Sequence, residues 1–163
     1  MGADPARRAG LLYAVAGAVY LLDRVTKILV EDNLEHRPSV VLIPRVVRLN
    51  FTENPGGAFS LFTDIPWLFF GATIVVSAVI VVASLRVVGR LPAVGLGLVL
   101  GGAIGNLTDR ITRGEGLFDG KVVDFVDFHI WPVFNAADAA IVVGAGMLLL
   151  AGTRRPGPDR PAG

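Results

Sequence analysis

Two aspartates, Asp124 and Asp138, have the clearest potential for chemistry in this sequence. They lie in the stretch VVDFVDFHIWPVFNAAD, which runs from residue 122 to residue 138. Asp138 falls six residues into a run (133–152) that is otherwise apolar or small apart from Asn135. An ionisable side chain inside a membrane helix costs on the order of 2.5 to 3.5 kcal/mol by insertion scales, so such residues are generally functional.

A second carboxylate nearby would supply a function for Asp138. Two carboxyl groups held close together cannot both ionise easily, so they share a proton and can activate a water molecule. We therefore interpret Asp124 and Asp138 as an aspartic protease dyad at a membrane surface. The structural alternative is that Asp124 caps an element or pairs with Arg110 or Lys121, while Asp138 bonds to a neighbouring helix.

The composition is that of a membrane protein. Hydrophobic residues make up 53% of the 163 residues, charged residues make up 18%, and the mean hydropathy is +0.62. The long apolar runs lack the polar stripes of a soluble helical bundle. The sequence has no cysteine, which excludes disulfides, thiolate metal sites and a cysteine nucleophile. Its length predicts one integral membrane domain over residues 1–163.

Hydropathy predicts an all-α membrane protein built as a four-transmembrane-helix bundle. The predicted spans cover residues of about 10–30, 66–85, 91–108 and 133–152. A small extracytoplasmic β-rich segment is expected at about 31–65, where VVLIPRVVRLNF is rich in β-branched residues. Residues 111–132 are expected to form a loop that carries Asp124, and the polar tail 153–163 is expected to be disordered.

The distribution of arginine predicts the orientation of these spans. Only two acids, Asp4 and Asp159, lie in the N-terminus, the 86–90 turn and the tail. The same segments hold seven arginines: Arg7, Arg8, Arg86, Arg90, Arg154, Arg155 and Arg160. The positive-inside rule therefore places both termini in the cytoplasm.

This topology places the polar residues of the spans in one layer near the outer face. Apart from two serines of the second helix, the members are Asp23, Lys27, Asn106, Asp109, Asn135 and Asp138. The helix rise puts Asp138 about 8 Å inside the outer boundary. A site built from this layer would face the outer leaflet.

Other motifs have simpler structural explanations. Asp23 and Lys27 are four residues apart and can form an ion pair on one helix face, or Lys27 can extend to the interface. The stretch 54–59 (NPGGAF) is either a β-turn or a loop in which Asn54 binds an extended peptide. The stretch 101–110 (GGAIGNLTDR) can serve helix packing alone.

Two further kinds of site find little support in the sequence. His36 and His129 are isolated and lack metal-ligand spacing, so we expect no metal site. A serine–lysine dyad of Ser60 and Lys27 would leave Asp124 and Asp138 without a role.

Five motifs occur in the order that is typical of one family. They are DRVTK (23–27), NPGGAF (54–59), GGAIGNLTDR (101–110), VVDF (122–125) and FNAAD (134–138). From about residue 11 to residue 150 the chain resembles the lipoprotein signal peptidases, the bacterial signal peptidase II family of membrane aspartic proteases. The resemblance implies that Asp124 and Asp138 are the catalytic acids. It also implies that the following residues bind substrate or brace the site: Asp23, Lys27, Asn54, Gly56, Asn106, Asp109, Arg110 and Asn135.

The resemblance implies a substrate and a location as well. The family cleaves diacylglyceryl-modified prolipoproteins just before the lipidated cysteine, uses no metal or other cofactor, and is the target of the cyclic peptide globomycin. We expect a monomer in the bacterial plasma membrane, with membrane lipids and prolipoproteins as partners, no nucleic acid, and a site on the extracytoplasmic face.

The chain departs from the family pattern at three places. Gly57 and Ala139 replace an alanine and a serine that are common there, and both changes keep a small residue. The segment 111–123 is longer than in many members. Asp119 and Asp127 are therefore alternatives to Asp124 as the first acid.

Two functions from other classes remain as alternatives. A small proton-coupled transporter or channel subunit would use Asp138 as a relay, and it would need polar residues through the full membrane depth. A scaffold protein would keep its function when the carboxylates are replaced.

Overall fold

The chain folds into four helices and a small antiparallel sheet. The computed structural model describes residues 5–55, 66–114 and 120–153. The elements, in chain order, are α1 (Pro5–Leu34), β1 (Val40–Ile43), β2 (Val47–Asn54), α2 (Pro66–Ser84), α3 (Arg90–Thr112), β3 (Val122–Asp127) and α4 (Ala136–Thr153).

The helices expose apolar side chains and bury polar ones, the reverse of a soluble protein. Leu21, Leu22 and Val142 are more than half exposed, whereas Asp23 and Lys27 are fully buried. Charged groups are buried only when they are paired, and apolar surface of this extent needs lipid rather than water around it. The prediction of a helical membrane protein is therefore confirmed.

Three helices of the described chain are long and apolar enough to cross a membrane. They are Ala6–Leu34, Arg90–Thr112 and Ala136–Thr153. The apolar segment Phe70–Ser84 of α2 is shorter. The observed helices begin and end at residues other than those of the predicted spans. Helices α1 and α3 are longer than the predicted apolar runs, because each continues into charged or polar residues.

Helix α3 is the centre of the bundle, because most contacts between helices involve it. Glycines make this contact close. A Cβ atom on Gly101 would lie 2.5 Å from the carbonyl oxygen of Ala16 and 2.8 Å from Cβ of Val19, both on α1. A Cβ atom on Gly102 would lie 2.8 Å from a side-chain carbon of Ile141 on α4. Small residues at such positions let helix backbones approach in a membrane, where close packing replaces the hydrophobic effect.

The sheet covers one end of the bundle. Its strand order is β1-β2-β3 with antiparallel pairing throughout. Val123 and Phe125 of β3 pack against Val30 and Leu34 of α1. The two strands predicted within residues 31–65 are confirmed.

The prediction that residues 111–132 form only a loop was wrong, because β3 lies within it. Asp124 therefore belongs to the third strand of the sheet rather than to a loop. Nearly every residue of β3 is buried, since the strand lies between β2 and the helices. A strand buried on both faces lacks the polar–apolar alternation that reveals most strands.

The prediction that the fourth helix starts at residue 133 was also wrong. The backbones of Phe134 and Val126 bond to each other, with N···O distances of 3.1 and 2.9 Å, so the chain is still extended there. Helix α4 begins at Ala136, and Asp138 lies in its first turn. At 1.5 Å per residue, Asp138 is about 3 Å along α4 from Ala136.

We predict that Gly101→Ala lowers stability and that Gly17→Ala does not. The added methyl at residue 101 must separate α1 from α3, which costs about 1–3 kcal/mol. A Cβ atom on Gly17 would meet no other atom within 4 Å, so this residue supplies a matched control on α1. There the alanine favours the helix by up to about 1 kcal/mol. Thermal unfolding in detergent measures both, and equal midpoints would contradict the role of Gly101 in packing.

Candidate active site

A cavity of about 460 Å³ opens among α2, α3, α4 and the sheet, and both candidate catalytic aspartates line it. Most of its polar lining comes from Asn54, Asn106, Arg110, Asp124 and Asp138. The remaining wall is largely apolar, apart from Thr73, and comes mostly from the three helices. The structure thus brings Asp124 and Asp138 to one cavity, although they are separated in the sequence. They lie where the polar part of the cavity wall meets the apolar part.

Asp124 is held on β3 with only 2% of its surface exposed. Its Oδ2 accepts a hydrogen bond of 2.9 Å from Nδ2 of Asn54, and its Oδ1 accepts one of 2.7 Å from Nδ2 of Asn135. Burial, together with the nearby charge of Asp138, raises the pKa of Asp124 to about 7, although the two amide donors and Lys27 act against this rise. Asp124 can therefore hold a proton near neutral pH.

Asp138 is partly exposed to the same cavity. Its Oδ1 accepts from Nδ2 of Asn106 at 2.7 Å, and its Oδ2 accepts from the backbone N–H of Asn135 at 3.2 Å. The backbone N–H of Asp138 donates to Oδ1 of Asn135 at 2.9 Å. This reciprocal pair is a capping box at the start of α4. The N-terminal end of a helix also favours negative charge on Asp138.

Asn135 and Asn106 connect the two carboxylates. Nδ2 of Asn135 donates to Oδ1 of Asp124 and also to Oδ1 of Asn106, the latter at 3.1 Å. Nδ2 of Asn106 in turn donates to Asp138. In both amides the oxygen accepts and the nitrogen donates, so neither group can turn over without losing its hydrogen bonds. Asn135 and Asn106 therefore set the orientations of both carboxylates.

Lys27 fixes the orientation of Asn106. It is fully buried, and its Nζ lies 2.9 Å from Oδ1 of Asn106. The same ammonium lies 2.8 Å from Oδ2 of Asp23 and 2.7 Å from Oδ2 of Asp109. With its oxygen held towards Lys27, Asn106 presents its N–H₂ group to Asp138. The predicted ion pair of Asp23 and Lys27 is present and forms part of the site.

Asp23 and Asp109 tie the helices to one another around Lys27. Oδ1 of Asp23 on α1 accepts from the backbone N–H of Ala137 in the first turn of α4, at 3.2 Å. Asp109 on α3 accepts from Arg24 of α1 and, at 3.4 Å, from the backbone N–H of Val123 on β3. These contacts satisfy N–H groups that would otherwise be orphaned at a helix start and in the sheet.

Arg24, Arg113 and Glu31 also belong to this network, although they were not among the predicted site residues. Arg113 donates to both oxygens of Glu31, at 2.6 and 2.8 Å, and its Nε donates to Asp109 at 3.0 Å. Asp109 and Arg113 are four residues apart, a spacing that places them on one helix face. The spacing could have predicted the contact between Arg113 and Asp109. Nothing in the sequence indicates that Arg113 also binds Glu31.

Of the remaining predicted site residues, some lie at the cavity and others lie outside the part of the chain that the structure describes. Arg110 lines the cavity, and its Nη1 donates to the backbone carbonyl of Asn106 at 3.4 Å. Gly56, Gly57, Ser60 and Asp119 lie outside the described residues.

The alternative acid Asp127 has a structural role. Its Oδ2 binds Arg48 on β2, with Nε at 2.7 Å and Nη2 at 2.6 Å, and its Oδ1 accepts from the backbone N–H of His129 at 2.7 Å. The hydrogen bond from His129 and the charge of Arg48 lower the pKa of Asp127. His36 and His129 are exposed, and the described chain contains no cluster of three or more histidine or acidic residues suited to a metal ion.

The fold and the cavity define a multi-pass membrane enzyme. Two solved structures of bacterial membrane enzymes share the fold. One covers 90% of this chain and 95% of its own, with a TM-score of 0.77 at 26% identity; the other covers 94% of both chains, with a TM-score of 0.79 at 24% identity. A sequence model of the family described as signal peptidase (SPase) II matches residues 15–154. The chain belongs to the signal peptidase II family.

Individual relatives agree with this assignment. The lipoprotein signal peptidase of Rhodococcus jostii is 47% identical over 142 residues, which cover 86% of this chain and 71% of the relative. The lipoprotein signal peptidase of Desulfitobacterium hafniense is 45% identical over 143 residues, which cover 86% of this chain and 91% of the relative. The resemblance stated from the five motifs is thereby confirmed.

We predict that Lys27→Met destabilises the protein strongly. Removing the ammonium leaves Asp23 and Asp109 buried without their shared counter-ion, and breaking a buried ion pair in this way costs roughly 3–5 kcal/mol. Lys121→Met is the matched control, because Lys121 contacts Glu53 at the same 2.8 Å but on the exposed surface. Surface pairs contribute little. Unfolding midpoints in detergent compare the two variants, and a similar loss in both would remove Lys27 from the centre of the network.

Proposed function

We propose that the chain is an aspartic endopeptidase in which Asp124 and Asp138 are the catalytic acids. Membership of the signal peptidase II family makes it a protease that removes signal peptides from prolipoproteins. The observation that carries the aspartic mechanism is that both carboxylates line one cavity and are oriented by Asn135. The substrates are diacylglyceryl-modified prolipoproteins, cut just before the lipidated cysteine.

The two acids have different roles because their surroundings differ. Asp124 is buried and keeps its proton up to about pH 7, which suits it to be the acid. Asp138 is partly exposed, accepts two hydrogen bonds and lies at the N-terminal end of α4, which suits it to be the base.

The reaction then follows general acid–base chemistry. Asp138 takes a proton from a water molecule between the two carboxyl groups, and the water oxygen attacks the scissile carbonyl carbon. Asp124 donates its proton to the carbonyl oxygen, which gives a neutral tetrahedral intermediate. As the C–N bond breaks, Asp138 returns its proton to the leaving amine and Asp124 recovers a proton from the collapsing hydroxyl.

Other polar residues support this reaction from two positions. Four polar residues surround the carboxylates: Asn54, Asn106, Arg110 and Asn135. Gly56 lies two residues after Asn54 in the sequence. We assign them to substrate binding and to orientation of the acids. Asp23, Lys27 and Asp109 brace the site from behind. No metal or other cofactor enters this mechanism.

The alternative of a proton-coupled transporter or channel subunit is disfavoured. The polar network of α1, α3 and α4 joins residues at one end of the bundle, where the sheet covers it. Away from this network, the cavity wall is mostly apolar, with residues such as Val76, Val99 and Ile141, and it includes one threonine, Thr73. A proton path would need a continuous series of polar groups along that wall.

We propose that the protein is a monomer with four spans in the bacterial plasma membrane, both termini in the cytoplasm and the site at the extracytoplasmic face. The arginine distribution supports this topology. A cysteine replacing Ser39 should then react with a membrane-impermeant thiol reagent added to intact cells, and one replacing Gly89 should not. The native chain has no cysteine, so there is no background. Labelling at residue 89 would contradict the four-span topology.

We predict that Asp124→Asn and Asp138→Asn each lower the rate of prolipoprotein cleavage by roughly 10²- to 10⁴-fold, because each removes one partner of the acid–base pair. The assay uses purified enzyme and a diacylglyceryl-modified prolipoprotein in detergent. Asp127→Asn is the control, since Asp127 is bound to Arg48. Retained activity in either of the first two variants would exclude that residue from the pair.

The same assay tests the lipid requirement with an unlipidated prolipoprotein. Each buried CH₂ contributes about 0.8 kcal/mol, so two acyl chains fix the substrate in the bilayer where a bare cysteine does not. The unlipidated substrate should be cut far more slowly. Equal rates would contradict lipid recognition and leave the aspartic mechanism intact.

We predict that the cleavage rate falls as pH rises through about 7. The raised pKa means that Asp124 is protonated below this value and loses its proton above it. Because the protonated form is the acid, the rate should then fall by about tenfold per pH unit. A single-turnover assay with enzyme in saturating excess over substrate measures this limb. A rate that stays constant or rises across neutral pH would contradict the assignment of Asp124 as the acid.

A further inference from the structure

Two loops meet at one end of the sheet. The register pairs Ile43 with Val47 and Arg48 with Asp127. The β1–β2 turn therefore lies at the same end of the sheet as the loop that follows β3. We call these two loops, residues 43–47 and 128–131, the sheet tip.

The sheet tip exposes more apolar surface than water favours. Ile130 is 92% exposed and Trp131 is 65% exposed, and Ile43, Val46 and Phe128 are also exposed. The neighbouring strand β1 consists of four apolar residues, all of them exposed. A contiguous apolar patch on an edge strand is a liability for aggregation unless something covers it.

The charge on the sheet tip is positive. Arg45 is exposed at the turn, and the acid nearest to it in the register, Asp127, is bound to Arg48. Arg45 has a φ of 63° at a position of the turn where glycine or asparagine is favoured. His129 has a φ of 64° in the other loop. Non-glycine residues are uncommon in this conformation, which costs them energy.

The two tryptophans of the chain indicate what covers this surface. Trp67 is 60% exposed at the start of α2, and Trp131 is exposed shortly before the start of α4. Exposed tryptophans near the ends of membrane helices mark the level of the lipid headgroups. Helix α4 begins five residues after Trp131 and carries the exposed apolar residues Val142 and Val143, which face lipid.

We propose that the sheet tip docks into the headgroup region of the membrane leaflet around it, with anionic phospholipid as its partner. The apolar side chains enter the boundary between headgroups and acyl chains, and Arg45 binds lipid phosphate. Interfacial binding of this kind combines buried apolar area with attraction between basic residues and anionic lipids.

This docking surface adjoins the candidate active site. Trp131 belongs both to the sheet tip and to the lining of the cavity that holds Asp124 and Asp138. Insertion of the sheet tip therefore places one wall of the cavity at the depth of the headgroups. The proposal itself rests on exposure, register and charge, and it is independent of the reaction assigned to the carboxylates.

Fluorescence quenching in vesicles of phosphatidylcholine and phosphatidylglycerol tests this proposal. Trp67→Phe leaves Trp131 as the single tryptophan of the full chain. In a Trp67→Phe/Trp131→Phe background, Ile43→Trp reports on the β1–β2 turn. Lys121→Trp in the same background is the matched control, because Lys121 is exposed at the opposite end of the sheet, where it pairs with Glu53. Thermal unfolding establishes that each variant is folded.

We expect phospholipid brominated on its acyl chains to quench the tryptophans at residues 43 and 131 strongly and the one at 121 weakly. Iodide on both sides of the membrane should show the reverse order, with a several-fold lower quenching constant at the sheet tip. Arg45→Glu should increase iodide quenching at residue 43 in anionic vesicles, and Arg45→Lys should not.

Two results would overturn the proposal. Iodide quenching at residues 43 and 131 as strong as at residue 121 would place the sheet tip in water. Protection from iodide without quenching by brominated lipid would mean that a protein surface, such as a second copy of this chain, covers it. Neither result depends on substrate, so failure here leaves the proposed protease activity untouched.

Discussion

The structure depends on one buried charge, the ammonium of Lys27. An isolated ammonium ion among apolar helices is prohibitively costly, so it must be surrounded by compensating groups. Asp23 from the same helix, and Asp109 and Asn106 from α3, provide them. The carboxylates of Asp23 and Asp109 also accept from backbone N–H groups of α4 and β3. The groups that compensate the charge of Lys27 therefore also determine how the helices and the sheet meet.

That arrangement leaves the two candidate catalytic carboxylates in unlike surroundings. Asp124 lies on a strand covered by helices, and burial favours its protonated form. Asp138 lies in the first turn of a helix and is partly exposed to the cavity. The difference follows from which element carries each residue. A strand and a helix terminus that meet at one cavity thus give its two carboxylates different degrees of burial.

The sequence predicted the helices and the layer of polar residues because both are consequences of the membrane. A helix that crosses lipid needs a long apolar run, which is easy to recognise in a sequence. Charged residues are rare in such runs, so Asp23, Lys27 and Asp138 could be identified as exceptions. Strand β3 was missed because burial on both faces removes the alternation by which strands are recognised. The start of α4 was misplaced because Phe134, although apolar, belongs to the extended segment that pairs with Val126. The bond from Arg113 to Glu31 joins residues that are distant in sequence, and no local pattern could predict it.

Asn135 has a consequence for which substitutions the chain can accept. Its amide donates to Asp124 and Asn106 and accepts from the backbone of Asp138, so one terminal group supplies donors on one side and an acceptor on the other. Aspartate has the same shape but no hydrogen-bond donor. Leucine has neither a donor nor an acceptor. In glutamine, the extra methylene displaces both the donor and the acceptor. Among the twenty side chains, asparagine alone matches this position in size and polarity. Natural variation here should be far narrower than at an ordinary helix cap, where serine, threonine and aspartate interchange freely.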